Sequence, residues 1–158
     1  TAKTICGNLN TFIDITIDNI QDNVSMNDGI NDVIFDETGE IVTFFGGNPS
    51  SLLGFCILTS NASTGEITDV IILLNGTIPS DTSNDLLSTT VHEFGHCWGL
   101  AHIAIGGVNT AQSTPGLDPI EPSKIPTMYP FSNPANDEFG RTLEVDDKAG
   151  ISVVYPNN

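Results

Sequence analysis

The stretch His92-Glu93-Phe94-Gly95-His96-Cys97-Trp98-Gly99-Leu100-Ala101-His102 holds all three histidines of the chain. On an α-helix, His92 and His96 fall on one face roughly 6 Å apart along the axis, a separation at which two imidazoles can share one metal ion. His102 does not share that face. On a continued helix it would stand about 9 Å beyond His96 and roughly 120° around the axis, so convergence of all three rings requires the chain to turn first. Gly99 is the residue able to make that turn, since without a Cβ it can take a positive φ. Glu93 points roughly 100° away from His92, which suits a proton-handling role beside a metal better than coordination.

Upstream of the motif, Ser83, Asn84 and Asp85 offer an N-cap and a first-turn acid, predicting a helix that runs to about Trp98 or Gly99. Leu87, Val91, Phe94 and Trp98 lie within about 60° of one another and form the apolar stripe expected to pack on a sheet. Cys97 lies about 120° from the direction of the two helical histidines, as a small core residue would. Before this helix, Phe12 to Asp18 alternates apolar and polar residues, as a half-buried strand does. Further strands are expected at Val33 to Phe35, Ile41 to Phe45, Leu52 to Thr59 and Glu66 to Leu74. The last of these carries the continuous run Val70-Ile71-Ile72-Leu73-Leu74 of a well-covered strand. After His102 a proline-rich stretch implies irregular structure, and a closing helix is expected from Val145 to Val154, with Glu144, Asp146 and Asp147 at the positive end of its dipole.

With 158 residues, the chain suits a single domain with its own core. The pattern is that of an α+β domain, 1–158, with an N-terminal subdomain about 1–99 and a C-terminal subdomain about 100–158. The formal net charge of −16 opposes nucleic acid and anionic membrane as partners and favours cations. No apolar run is long enough to span a bilayer and no leader pattern is present, so a mature, secreted, monomeric protein is expected. Cys6 and Cys56 could bridge in an oxidising compartment. Asn23, Asn61 and Asn75 each begin a glycosylation triplet.

Three neutral imidazoles suit Zn²⁺, which takes nitrogen ligands and leaves a fourth position for water in catalytic sites. His92, His96 and His102 are therefore the candidate ligands of one zinc, with Glu93 as general base for hydrolysis of a peptide bond. The alternative is a zinc-holding binding or adhesion module with little turnover.

The pattern H-E-x-x-H-x-x-G-x-x-H, followed downstream by Pro126-Thr127-Met128-Tyr129-Pro130, resembles the signature of the metzincin metallopeptidases. Within them the chain is most similar to the matrixins and their bacterial relatives, through Asn27-Asp28-Gly29-Ile30-Asn31, Gly65-Glu66-Ile67-Thr68-Asp69 and Leu143-Glu144-Val145-Asp146-Asp147. The resemblance implies a metzincin-like catalytic domain: a twisted mixed sheet, an active-site helix and a C-terminal helix, here without a clear counterpart of the first strand and helix. It implies that Met128 forms a supporting turn beneath the metal. It further implies that Glu66 to Leu74, with Ile71 and Leu73, is an edge strand pairing with an extended protein or peptide substrate, and that Tyr129 to Phe139, with Tyr129, Pro130 and Phe131 foremost, lines a pocket for an apolar side chain. Calcium is a second cation compatible with the resemblance, on Asp- and Asn-rich loops that otherwise read as a solvated acidic surface. Asn23 to Asp32 does not match an EF-hand, so no ligand set is named.

Overall fold

The computed structural model describes residues 27–79, 85–103, 126–131 and 140–156. The chain divides into two compact units, Thr1–Ile78 and Pro79–Asn158. The first contains β1 (Asp32–Asp36), the short helix α1 (Glu40–Phe44), β2 (Gly54–Ser60) and β3 (Ile67–Asn75). The strands form a mixed sheet in the order β1-β3-β2, with β1 parallel and β2 antiparallel to β3. The second unit contains α2 (Leu86–Cys97) and α3 (Val145–Val154), so the class is α+β. The expected strand at Phe12 to Asp18, the Cys6–Cys56 pairing and the Asn23 triplet lie outside the described residues.

β3 is the middle strand, which corrects its expected place at the sheet edge. Ile71 pairs with Asp32 on one side and Ile57 on the other, and Leu73 pairs with Ile34 and Phe55. Both side chains are buried, so neither is available to a substrate strand. The physical reason is already in the run Val70 to Leu74: a strand apolar at every position is one covered on both faces, whereas edges are short or polar. Ile34, Ile41, Val42, Ile71 and Leu73 form the core of this unit, with Phe45, Leu52, Phe55 and Ile57 packed against it.

Ile41 to Phe45, expected as a strand, lies mostly within helix α1. Its buried residues, Ile41 and Val42, are adjacent, where a half-buried strand would alternate. The buried Asp36 carboxylate, one β1 residue back in the chain from the turn, accepts from the Gly39 amide at 2.8 Å and the Val42 amide at 2.9 Å. It thereby satisfies donors that a helix start leaves open. Gly39 takes φ 76°, a conformation a strand entry does not use.

The two described glycosylation triplets differ sharply. Asn75 is buried and spends its amide nitrogen on the Pro49 and Leu52 carbonyls at 2.8 and 2.7 Å. Asn61 is exposed on the β2–β3 turn, where its side-chain oxygen accepts from the Ser63 amide at 2.9 Å.

In the second unit, Asp85 caps α2 by accepting from the Leu87 and Ser88 amides. The helix closes with a Schellman motif: Leu100 N–H donates to the Gly95 carbonyl and Gly99 N–H to the His96 carbonyl, with Gly99 at φ 82°. The expected apolar stripe is corrected in part. Leu87 is exposed and Val91, Phe94 and Trp98 are only half-buried, while Glu93, Gly95 and Cys97 are the buried positions. α3 begins with a capping box between Glu144 and Asp147. Among the described residues no helix is long and apolar enough to cross a membrane.

Candidate metal centre

Helix α2 supplies His92 and His96 one turn apart, and the Schellman turn at Gly99 redirects the chain so that His102 comes back over them. The Nε2 atom of His102 lies 3.1 Å from that of His92 and 3.0 Å from that of His96. Two nitrogens each about 2.0–2.1 Å from a tetrahedral zinc would stand about 3.3 Å apart, so the spacing is close to a zinc-ligand edge.

The outer ring nitrogens explain which atoms face inward. His92 Nδ1 lies 2.6 Å from the Thr127 carbonyl oxygen, and His96 Nδ1 lies 2.8 Å from that of Leu100. A carbonyl can only accept, so each Nδ1 carries the proton and each Nε2 presents a lone pair to the centre. Two such lone pairs converge on His102 Nε2. A proton there can serve one of them, whereas a divalent cation serves all three. The residues present therefore fit a metal ion. Burial pulls His92 down to about 4, against the pull of the Thr127 carbonyl, and burial together with His96 lowers His102. Both rings are thus neutral near pH 7, the state in which imidazole is a ligand.

Glu93 is buried, and that burial pushes its carboxyl up to about 8. Its Oε2 atom has no hydrogen-bond partner. Met128 is buried against the backbone of Gly95, between the two helical histidines in sequence, so closely that a Cβ on Gly95 would overlap its sulfur. Glycine inside a helix costs about 1 kcal/mol relative to alanine, and here it is the residue that admits Met128. The Thr127-Met128 dipeptide also holds the far end of the motif, because Ile103 N–H donates to the Met128 carbonyl at 3.0 Å. Tyr129 and Phe131 are half-buried with their rings 5.6 Å apart, edge to face, with Pro130 between them in sequence. The remainder of the expected Tyr129 to Phe139 pocket lies outside the described residues.

Thr127, Leu100 and Gly95 were not singled out by sequence. Carbonyl groups carry no residue type, so nothing in the chain marks Leu100 or Thr127 as a histidine holder. Gly95 could have been found, as a glycine placed between two ligands in a predicted helix. In the first unit, Asp32 is pushed up by burial and by the neighbouring Asp28 and Asp69. Among the described residues, however, the group of three metal-binding side chains whose donor atoms close to within 4.8 Å is His92, His96 and His102, and calcium gains no closed ligand set.

A curated protein of Pyricularia oryzae, named an extracellular metalloprotease, is 35% identical to the chain over 69 residues. The match takes in 42% of this chain and 24% of that relative, so the chain spans about a quarter of its length. No protein-family profile matches the chain, and no solved structure matches it. The partial likeness is to a protein named a metalloprotease, and the three-histidine donor set of this chain fits a metal ion.

Proposed function

We propose that the chain is a secreted, matrixin-like zinc endopeptidase in which His92, His96 and His102 hold one zinc ion and Glu93 is the general base. The observation that carries this reading is the convergence of three imidazole Nε2 atoms, two of them, on His92 and His96, in rings whose outer nitrogens are already committed to carbonyls. Zinc, when bound, supplies Lewis acidity towards a peptide carbonyl and lowers the pKa of water.

Glu93 is the group that takes a proton from the attacking water and returns it to the leaving amine. Burial keeps its proton affinity high in the metal-free chain, and a divalent cation nearby draws it back towards the ionised form a base requires. Tyr129 and Phe131 offer an aromatic surface suited to an apolar substrate side chain. Met128 and Gly95 keep the helix and the turn in register beneath the histidines.

Digestion of a peptide library, read by mass spectrometry with and without a chelator, tests the reading. Cleavage should vanish with the chelator and fall by at least about 10²-fold in Glu93→Ala with zinc content unchanged. A Glu93→Ala protein that cleaves as fast as wild type would refute the assignment of the base.

A further inference from the structure

We propose that Asp147 is a positioning residue for the metal centre, anchoring Thr127 so that the Thr127 carbonyl fixes the ring of His92. The proposal rests on the metal-centre reading above and adds to it a residue more than fifty positions along the chain. Asp147 is 3% exposed, on the first turn of α3. Its Oδ2 atom accepts from the Glu144 amide at 2.9 Å and from the Thr127 amide at 3.3 Å. The first bond belongs to the capping box of α3; the second leaves the helix altogether.

Thr127 is held at three points. Its amide donates to Asp147, its hydroxyl donates to the Thr142 carbonyl at 2.9 Å, and its carbonyl accepts from His92 Nδ1 at 2.6 Å. Thr142 lies just before α3, so two of the three anchors come from the segment that leads into and begins that helix. The next carbonyl, that of Met128, holds Ile103 and with it the chain directly after His102. Two of the three imidazoles therefore depend on one dipeptide, and the buried side chain of Asp147 is its anchor.

The carboxyl stands two hydrogen bonds from the imidazole, through the amide and the carbonyl of Thr127. An outer partner held in place keeps the other ring nitrogen aimed at the metal, and loss of such partners typically weakens metal binding 10- to 100-fold. A helix cap alone would have none of these consequences for the metal.

The zinc dissociation constant, measured by competition with a chromophoric chelator, separates the two roles. Asp147→Ala should raise it about 10- to 100-fold. Asp147→Asn, which keeps an acceptor oxygen but loses the charge, should fall in between. Glu144→Ala removes the other side chain of the capping box, leaves Thr127 untouched and should bind zinc as wild type does. With cobalt(II) in place of zinc, the visible absorption bands of Asp147→Ala should shift, because the orientation of His92 changes. Wild-type affinity in Asp147→Ala would overturn the proposal, and so would an equal loss in Glu144→Ala. Should the alanine variant not fold, the asparagine variant decides: a dissociation constant at least about threefold above wild type supports the role, and an unchanged one overturns it. A wild-type chain that takes up no zinc would sink the metal-centre reading as well, whereas wild-type uptake with an indifferent Asp147→Ala sinks this proposal alone.

Discussion

Glu93, next in sequence to the first of the three histidines, is the residue with the largest cost of its own. A buried carboxyl whose Oε2 has no hydrogen-bond partner is costly when ionised, and burial pushes it up to about 8. A folded-state pKa above the unfolded value means that its contribution to stability is full below about 4.5 and is lost as pH rises through about 8. The metal-free protein should therefore lose stability between pH 5 and pH 8, and Glu93→Gln should remove that part of the slope. Thermal midpoints of both proteins in a chelator at the two pH values would show it, and parallel curves would mean that Glu93 is not the group responsible. The convergence of the three histidines was legible in the sequence because side-chain type and helical spacing together define it. The carbonyls of Thr127 and Leu100 that orient the rings were not, since every residue has one and only the folded chain selects which is used.

At the scale of the element, helix α2 was legible because both of its ends are written in side chains. Asp85 caps the start and Gly99 allows the closing turn. α1 was misread because five residues are too few for a period to declare itself, and its start is satisfied by Asp36 from outside the helix. The apolar stripe was misplaced for a different reason: the buried positions of α2 include Gly95, which has no side chain to signal burial, and Glu93, which is acidic. Asp85 also meets Arg141, whose Nε donates to Oδ2 at 2.5 Å. Burial alone would raise the Asp85 pKa, but the Arg141 side chain and the Leu87 and Ser88 amides together bring it below the usual carboxylate value. The stability this contributes is present above the unfolded pKa, near 3.8, and is lost as pH falls through the lower folded value. Arg141→Ala should accordingly move the acid-unfolding midpoint to higher pH. Asp85→Ala should cost about 1 kcal/mol at neutral pH through loss of the cap, which calorimetry would register as a fall of roughly 2–4 °C.

For the whole molecule, the dominant quantity is a formal net charge of −16. Such an excess repels itself in the compact state, and salt screens it, since the Debye length shrinks from about 30 Å at 0.01 M to about 8 Å at 0.15 M. The thermal midpoint should rise over that range of sodium chloride, and a flat response would show that the acidic groups are neutralised locally. The sheet was legible as a set of strands but not in its order. Pairing partners are chosen by tertiary contact, and the resemblance to edge-binding enzymes outweighed the apolar run that marked β3 as central. One further consequence follows from the two bonds by which Thr127 and Met128 reach back to His92 and Ile103. They close a ring of chain whose two ends are pinned together at the histidines. Both acceptors are main-chain carbonyls, so an exchange of side chain at 127 or 128 leaves them in the chain, and only a change in the path of the backbone there would set the histidines loose.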